Sequence, residues 1–414
     1  MLLSKYSFGI GDRFAQQGKS LLQALIDAKK QGLDITPVWN KSHREHQIVG
    51  TEPADVRTEA DSAVTELGWD APYHVDADHI GLENVDLFID ASDFFTIDVA
   101  DFIGKPADPQ DIDDFVQKHK SLCGTLQIEG LDEPVEITKD QIINTARNFL
   151  SAIKQAEKIY RHIENKKGHD NFITEISMDE TTEPQPPLEM LFILAAIADC
   201  NIPAQTIAPK FTGSFYKGID YVGDPQRFGR QFEQMLAIIS YAVEHFSLPK
   251  NLKLSVHSGS DKFSIYPVIN RALKKFDAGL HIKTAGTTWL EEFIGLALAG
   301  SDGFQMVKQI YSRALERFDE LAAPYASVIN IQKDKLPTPQ TVNAWTSEQF
   351  AAALKHDLSC PNYDPNFRQL LHVAYKIAAE IKTDYLNALQ KYEKIVAPCV
   401  TENIYKRHIK PVFI

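Results

Sequence analysis

Short apolar segments alternate with amphipathic segments along the first 300 residues of the chain. The first apolar segment, KYSFGIGDRF, is followed by LLQALIDAKKQG, in which Leu21, Leu22, Leu25 and Ile26 share one helical face before Gly32. The pattern contains eight strand-like segments, which are KYSFGIGDRF, DITPVWN, YHVDADH, DFFTIDVAD, NFITEISMDE, AQTIAPKF, LKLSVHSGSD and GLHIKTAGT. Eight strands separated by helices predict an α/β fold of the (β/α)8 TIM-barrel type.

Two regions depart from this alternation. Residues 105–138, after the fourth strand, contain several Pro and Gly residues and predict an inserted small hairpin. A capping box at Thr138 then predicts the start of a long helix. Beyond residue 300 the chain is mostly helical in pattern, most clearly in FRQLLHVAYKIAAEI. We therefore predict a catalytic barrel at 1–300 and a C-terminal helical extension at 301–414 that packs on it.

Residues able to do chemistry follow nearly every predicted strand. In a (β/α)8 barrel the carboxyl ends of the strands share one mouth, where the active site lies. We therefore expect a common site among the residues at these ends, which are Asp12 with Arg13, Asn40, Asp78 with His79, Asp98, Glu175, Asp179, Lys210, His257 and Lys283.

The third strand ends in the adjacent pair Asp78 and His79. An imidazole can bind a divalent ion while a neighbouring carboxylate handles a proton. Successive side chains of an ideal strand point to opposite faces, so the two meet at one site only if the strand ends there. The following Gly81 is consistent with such an end, and a surface turn with a hydrogen-bonded His79 is the alternative.

The seventh strand ends at His257 and continues into a Ser/Gly turn before a helix. Free backbone N–H groups at such a turn suit an anion, and Lys262 adds positive charge. A plain strand-to-helix turn with Ser260 or Asp261 as the helix N-cap is equally compatible with the pattern.

The fifth and eighth strands each carry polar residues on one face. Glu175 and Asp179 alternate along the fifth strand, and His281 and Lys283 lie two residues apart on the eighth. Buried carboxylates are costly unless a cation or a shared proton compensates them, and a metal, Lys210 or Lys283 can do so. Partly solvated strand edges are the alternative in both cases. The other histidines fit simpler roles, with His372 in a helix core and His408 at the surface.

Composition excludes some classes of function. The chain has 414 residues, 44% hydrophobic and 24% charged, as in a soluble globular protein. Its 43 basic and 56 acidic residues give a net charge of −13, which argues against binding nucleic acid or an anionic membrane. Four cysteines without a CxxC pair are typical of a reducing compartment, so we expect a cytoplasmic protein. No dinucleotide or P-loop motif occurs.

Seven of these motifs occur together in one order, namely FGIGDRF, DADH, FFTID, EISMDET, KGIDY, SVHSGSDKFSIYP and HIKTAGT. In their residues and their order, these motifs resemble those of the tagaturonate/fructuronate epimerase family of bacterial hexuronate breakdown. The resemblance covers roughly residues 6–300, and the long motif around His257 is its most specific part. The family in turn looks distantly like metal-dependent class II ketose aldolases, which are barrels.

The resemblance implies roles for individual residues. Asp78 would be the proton acceptor and Glu175 the proton donor, with Asp179 and Glu180 as rivals in the same motif. His79 and His257 would bind a divalent metal (Zn, Mn, Ni or Co), and His281 would be the third ligand. The residues expected to bind the substrate are Arg13, Asp179, Lys210, Lys262 and Lys283.

The implied reaction is metal-dependent interconversion of D-tagaturonate and D-fructuronate by retro-aldol cleavage and re-addition. Fructose and tagatose carry the same reacting carbons and are expected alternative substrates. A class II-type ketose aldolase that releases two fragments, or a non-catalytic aldolase accessory subunit, remain the rival interpretations. The expected partner is a small uronate or ketose, without nucleic acid or membrane, and assembly as a homo-oligomer is left open.

Overall fold

A computed structural model describes residues 1–414, apart from the side chain of Ala285. Eight parallel strands close into a barrel in the order β1-β10-β9-β8-β7-β4-β3-β2, which confirms the predicted (β/α)8 architecture. The barrel strands are β1 (Tyr6–Ile10), β2 (Thr36–Ser42), β3 (His74–Ile80), β4 (Phe94–Asp98), β7 (Ile173–Ser177), β8 (Ala204–Ala208), β9 (Lys253–His257) and β10 (Leu280–Lys283), and the remaining two strands are β5 (Gly124–Leu126) and β6 (Val135–Ile137).

Helices follow the barrel strands and cover their outer faces. Those up to residue 298 are α1 (Gly18–Lys29), α2 (His43–Val49), α3 (Pro53–Leu67), α4 (Pro109–His119), α5 (Lys139–Lys167), α6 (Pro187–Asp199), α7 (Pro225–His245), α8 (Tyr266–Phe276) and α9 (Thr288–Leu298). The capping box at Thr138 is present and starts α5 as predicted, because its hydroxyl accepts from the backbone N–H of Gln141.

The insertion after β4 has more structure than the sequence pattern indicated. Strands β5 and β6 form the expected antiparallel hairpin. Helix α4 precedes the hairpin and was not predicted. The side chain of Asp108 caps α4 by accepting from the backbone N–H of Gln110, while Phe115 and Val116 face the core. These are ordinary helix signals, but the Pro and Gly residues of the segment favoured its interpretation as an inserted hairpin.

The C-terminal extension is a set of short helices, as expected. They are α10 (Ser301–Glu316), α11 (Phe318–Ala322), α12 (Pro339–Ala344), α13 (Ser347–Leu354), α14 (Pro365–Val373), α15 (Tyr375–Glu380), α16 (Lys382–Lys391), α17 (Glu393–Glu402), a π-helical segment (Asn403–Ile409) and α18 (Lys410–Phe413). In the described part of the chain, no helix is both long and apolar enough to cross a membrane.

Two large hydrophobic cores lie under these elements. One core fills the space between the barrel and its helices, and it also takes Val412 and Phe413 from the end of the chain. The other lies among the C-terminal helices and contains Trp289 and Phe293 of α9. Helix α9 thus belongs to the C-terminal core while the last residues of the chain belong to the barrel core, and the proposed domain boundary at residue 300 stays a prediction.

Candidate metal centre at the barrel mouth

The end of β3 brings Asp78 and His79 to the same side of the barrel. His79 has a left-handed backbone with φ of 56°, and the register of β3 against β4 shifts between Ala77 and Ile80. The shift breaks the alternation of side chains that an ideal strand imposes. As a result His79 Nδ1 lies 3.0 Å from Asp78 Oδ1, which is the convergence that a common site requires.

Three potential metal ligands meet at this mouth. His79, Asp179 and His257 each offer a ligand atom, and these atoms lie within 4.8 Å of one another. Asp179 Oδ1 is 3.3 Å from His79 Nε2 and 3.2 Å from His257 Nδ1. These three residues are called the metal group below.

The spacing and chemistry of the metal group fit a divalent ion. Ligands bound at about 2.1 Å around a tetrahedral ion lie ~3.4 Å from each other, close to the two separations observed. In addition, His257 Nδ1 is buried and makes no hydrogen bond. Its contact with Asp179 Oδ1, at 3.2 Å, lacks the geometry of a hydrogen bond, so the two atoms are placed to share an ion rather than a proton.

The outer nitrogen of each imidazole in the metal group contacts a carboxylate. His79 Nδ1 faces Asp78, and His257 Nε2 lies 2.8 Å from Glu175 Oε1. A metal-binding histidine usually donates its other N–H to a carboxylate, which fixes the tautomer and the ring orientation. The two acids expected to move protons are therefore also placed to orient the two imidazoles.

Lys283 links the acids of the mouth. Its Nζ lies 2.7 Å from Asp76, 2.9 Å from Asp78 and 2.9 Å from Glu175. Burial and the three carboxylates act in opposite directions on Lys283, and the carboxylates raise its pKa well above the ordinary value. Lys283 thus contacts acids that orient the metal group, and it remains charged there.

The acids of the mouth respond differently to burial and to Lys283. Burial raises the pKa of Asp76 to about 7 even though Lys283 opposes the rise. For Glu175, burial is outweighed by Lys283 and His257, which hold its pKa well below the ordinary range. Burial of Asp78 is likewise outweighed by Lys283 and His79, and its pKa is lowered.

The mouth carries an excess of negative charge. Asp76, Asp78 and Glu175 contact the single ammonium of Lys283, and Asp179 contacts the imidazoles of His79 and His257. These seven residues are called the mouth cluster. Burial lowers the pKa of His257, but Asp179 and Glu175 raise it to about 9. The carboxylates thus favour a positive charge where the imidazoles lie, and a divalent ion would supply one.

His281 lies outside the metal group. Its Nδ1 is 2.9 Å from Ser7 Oγ, its ring packs 5.3 Å from that of Phe94, and burial lowers its pKa to about 3. It precedes Lys283 by two residues on β10 and pairs in register with Ser255, which precedes His257 by two residues on β9. Asp179 therefore occupies the third place of the group, where the resemblance implied His281.

The cations expected to bind substrate lie in different surroundings. Arg13 forms an ion pair with Glu45. Lys262 is buried, and its Nζ donates to Ser260 Oγ and to the carbonyl of Ile219, both at 2.9 Å. The side chain of Lys210 makes no hydrogen bond or ion pair with any described residue. Only Lys283 touches the mouth cluster.

Asp261 lies in a second buried polar cluster, which we call the Asp261 cluster. Its carboxylate accepts from Arg368 at 2.7 Å and contacts the Nε2 of His408 at 2.9 Å, the Nδ1 of His356 at 3.2 Å and the hydroxyl of Thr287. These contacts occupy its oxygens, so it does not cap a helix, and α8 begins only at Tyr266.

One assignment near this cluster was wrong. His408 was expected at the surface, but the π-helical segment turns it inward, where it is fully buried. Thr287 is the N-cap of helix α9 and uses its hydroxyl on Asp261. Neither contact leaves a signal in the local sequence, because the partners are distant along the chain.

Sequence reasoning also missed small polar residues of the mouth. The Thr206 hydroxyl donates to Glu175 Oε2 at 2.7 Å, and the Ser177 hydroxyl donates to Asp179 Oδ1 at 2.6 Å. Thr96 lies 2.9 Å from Asp76 and 3.1 Å from Glu175. The alternation of Asp76 with Asp78 was the available signal for Asp76, since residues two apart share a strand face.

Known proteins resemble this chain over nearly its whole length. Residues 1–412 match the UxaE tagaturonate epimerase family. A tagaturonate/fructuronate epimerase from Thermotoga maritima is 28% identical over 419 residues, which cover 97% of this chain and 80% of that protein.

Solved structures support the fold. A glycerol complex of the fructuronate-tagaturonate epimerase UxaE from Cohnella laeviribosi superposes with a TM-score of 0.81 at 22% identity, covering 98% of this chain and 81% of that one. The native crystal structure of the same enzyme gives a TM-score of 0.79. With the family match spanning the barrel and the C-terminal helices alike, the chain belongs to the UxaE tagaturonate epimerase family.

Proposed function

We propose that this protein is a divalent-metal-dependent epimerase that interconverts D-tagaturonate and D-fructuronate. Membership of the family supports the substrate pair. The observation that carries the metal dependence is the convergence of His79, Asp179 and His257, in which His257 Nδ1 faces Asp179 without a hydrogen bond. Asp78 and Glu175 hold the two imidazoles from outside, as second partners do in metal sites.

The substrates favour a carbon–carbon cleavage route. Tagaturonate and fructuronate differ at a hydroxyl-bearing carbon that is β to the ketone. The ketone does not acidify the C–H bond at that carbon, so enolisation cannot invert it. Retro-aldol cleavage can, because loss of the β-hydroxyl proton breaks the adjacent C–C bond and leaves an aldehyde and an enediolate. Rotation of the aldehyde and re-addition then give the epimer. A bound divalent ion supplies charge stabilisation for the enediolate oxygens.

The acids of the mouth can exchange the protons of this reaction. Asp78 is ionised, because Lys283 and His79 lower its pKa against the effect of burial, and it accepts the hydroxyl proton. Glu175 starts ionised because Lys283 and His257 hold its pKa low, so it returns a proton to the re-formed alkoxide only after the proton taken up by Asp78 has reached it through Lys283, which contacts both acids. Lys283 Nζ lies 2.9 Å from each of these carboxylates, so it stabilises whichever one is ionised at a given step.

The proposal is tested by NMR of tagaturonate incubated with the Mn²⁺-loaded protein and with protein treated with a chelator. We expect fructuronate signals that grow with time only in the loaded sample. Asp78→Asn should remove turnover in the same assay because an amide cannot accept the proton. Near-normal turnover with chelator present, or in Asp78→Asn at saturating metal, would contradict the assigned roles.

Two rival functions are separated by simple measurements. An aldolase would release its two fragments, and an aldehyde-trapping reagent would then accumulate adduct at the rate of substrate loss. A non-catalytic accessory subunit would hold no stoichiometric metal in elemental analysis. The metal group favours the catalytic interpretation, since a scaffold has no need of two imidazoles and a carboxylate that converge at the barrel mouth.

A further inference from the structure

Cations from three barrel loops gather around two tyrosines of the C-terminal extension. Arg44 Cζ lies 5.8 Å and Lys217 Nζ 5.7 Å from the ring centre of Tyr325. Arg13 Cζ lies 4.4 Å from the ring centre of Tyr375, and the two tyrosine hydroxyls are 2.6 Å apart. The three cations follow β1, β2 and β8, so they belong to the barrel mouth.

This region has the opposite charge balance to the mouth cluster. Arg13 is paired with Glu45, but Arg44 and Lys217 make no ion pair with a described residue. Lys217 is partly buried, and both burial and the nearby charge of Arg13 lower its pKa, to about 8. A partly buried ammonium beside other cations is stabilised by an anion, and a carboxylate is the simplest one.

A buried histidine without partners adjoins the same region. Neither ring nitrogen of His372 makes a hydrogen bond, although the side chain is buried. A Cβ on Gly286 would lie 2.9 Å from His372 Cε1, and a Cβ on Gly218 would lie 3.3 Å from His372 Cβ. His372 therefore contacts the loops that follow β8 and β10, next to Lys217, and offers a further N–H donor.

We propose that Lys217, Arg44 and Tyr325 form a subsite for the carboxylate of the substrate. The inference rests on the proposed function and deepens it. In these uronates the carboxylate carbon lies two bonds beyond the inverted carbon, so the group must lie close to the acids of the mouth. The electrostatic influence of Asp78 and Glu180 on Lys217 fits that placement.

The subsite also has a role in the epimerisation itself. After retro-aldol cleavage the aldehyde fragment keeps the carboxylate and has lost its bond to the rest of the sugar. A cation that holds the carboxylate keeps this fragment in place while its aldehyde turns to present the other face. Binding remote from the reacting carbon thus retains the intermediate and orients it for re-addition.

The test compares binding of a uronate with binding of its neutral counterpart. Dissociation constants for tagaturonate and tagatose are measured by ligand-observed NMR titration of chelator-treated protein, so that metal does not contribute. The variants are Lys217→Met and Arg44→Met. Lys250→Met is the matched control, because Lys250 lies before β9 at the opposite end of the barrel.

We expect Lys217→Met to weaken binding of tagaturonate about 10- to 100-fold, the effect of losing one charge-assisted hydrogen bond, and to leave binding of tagatose unchanged. Arg44→Met should act in the same direction, and Lys250→Met should change neither sugar. Equal weakening of both sugars in Lys217→Met, unchanged binding of tagaturonate, or a wild type with no preference for tagaturonate would each overturn the subsite.

These outcomes are separable from failure of the proposed function. If Lys217→Met weakens binding of tagaturonate but the wild type does not convert it, the subsite stands and the epimerase assignment is overturned. If the wild type epimerises tagaturonate and Lys217→Met binds tagaturonate as tightly as the wild type does, the epimerase assignment stands and the subsite is overturned.

Discussion

The Asp261 cluster is fully buried and the mouth cluster is partly exposed, and the two clusters also differ in charge balance. In the Asp261 cluster one carboxylate contacts a guanidinium, two imidazoles and a hydroxyl. In the mouth cluster three carboxylates share the ammonium of Lys283, and the fourth, Asp179, contacts the imidazoles of His79 and His257. A buried charge whose partners all lie within the chain fits a structural role. Carboxylates that outnumber the permanent cations around them, as at the mouth, fit a cationic ligand that the chain does not contain.

The two clusters lie close together in the fold. Asp261 follows His257 by four residues and connects the loop after β9 to Arg368 of α14 and to His408. The C-terminal helices thereby hold the loop that carries a ligand of the metal group. If the contrast in charge balance is correct, changes in the two clusters should separate activity from stability.

The largest expected effect is on turnover. Asp179→Ala or His257→Ala should lower kcat for tagaturonate by about 10³-fold or more, since a catalytic metal contributes several kcal/mol to the transition state. The metal-free variants should lose little stability relative to metal-free wild type, because Asp179 is partly exposed and solvent screens its contacts with both imidazoles. Thermal unfolding with chelator present and steady-state kinetics with saturating Mn²⁺ measure the two properties. Turnover near the wild-type value together with a much lower unfolding temperature would mean that these two residues stabilise the fold and do not serve catalysis.

The Asp261 cluster should show the opposite pattern. Asp261→Ala leaves the guanidinium of Arg368 buried without its carboxylate, and breaking such a pair costs about 3–5 kcal/mol of stability. Denaturant titration measures this loss, and Asp220→Ala on a partly exposed neighbouring loop is the control. Metal affinity measured on the folded fraction should stay near the wild-type value, and its loss at unchanged stability would contradict a structural role.

Metal binding should stabilise the folded protein through the mouth cluster. A ligand that binds only the folded state at 100 times its dissociation constant adds about 2.7 kcal/mol. We therefore expect added Mn²⁺ to raise the unfolding temperature of wild type and of Asp261→Asn, and to leave that of Asp179→Ala unchanged. A rise in Asp179→Ala equal to that of wild type would place the ion elsewhere.

The smallest expected effect is a pH dependence from the Asp261 cluster. Burial lowers the pKa of His408, so the unfolded state takes up a proton near pH 6.5 that the folded state resists. The stability contributed by neutral His408 is complete above pH 6.5 and is lost as the pH falls through the lowered folded pKa, with a slope of at most about 1.4 kcal/mol per pH unit.

His408→Gln should flatten this part of the stability profile, whereas His245→Gln, at an exposed position, should not. Denaturant titrations between pH 7 and pH 5 provide the comparison. An identical decline in wild type and in His408→Gln would show that His408 does not contribute.

The barrel was predictable because its evidence is local. Alternating apolar strands and helices and the capping box at Thr138 are read from short windows, and both are present. The candidate site was predictable only as a set of strand ends. The backbone turn at His79 and the pairing of Asp179 with His257 depend on registers that no single segment encodes.

The C-terminal contribution was the least predictable part. The burial of His408 and the position of Tyr325 beside Lys217 depend on packing between residues more than 100 positions apart. Helical periodicity shows which residues face a core, but it does not show which core. The sequence therefore indicated an extension packed on the barrel and gave no sign that the extension supplies residues at the mouth.

The central claim is that one divalent ion is held by His79, Asp179 and His257. The most direct measurement is the metal content of wild type, Asp179→Ala and His281→Ala after saturation with Mn²⁺ and removal of free metal. We expect one ion per chain in wild type and in His281→Ala, and none in Asp179→Ala. Metal retained by Asp179→Ala and lost from His281→Ala would contradict it.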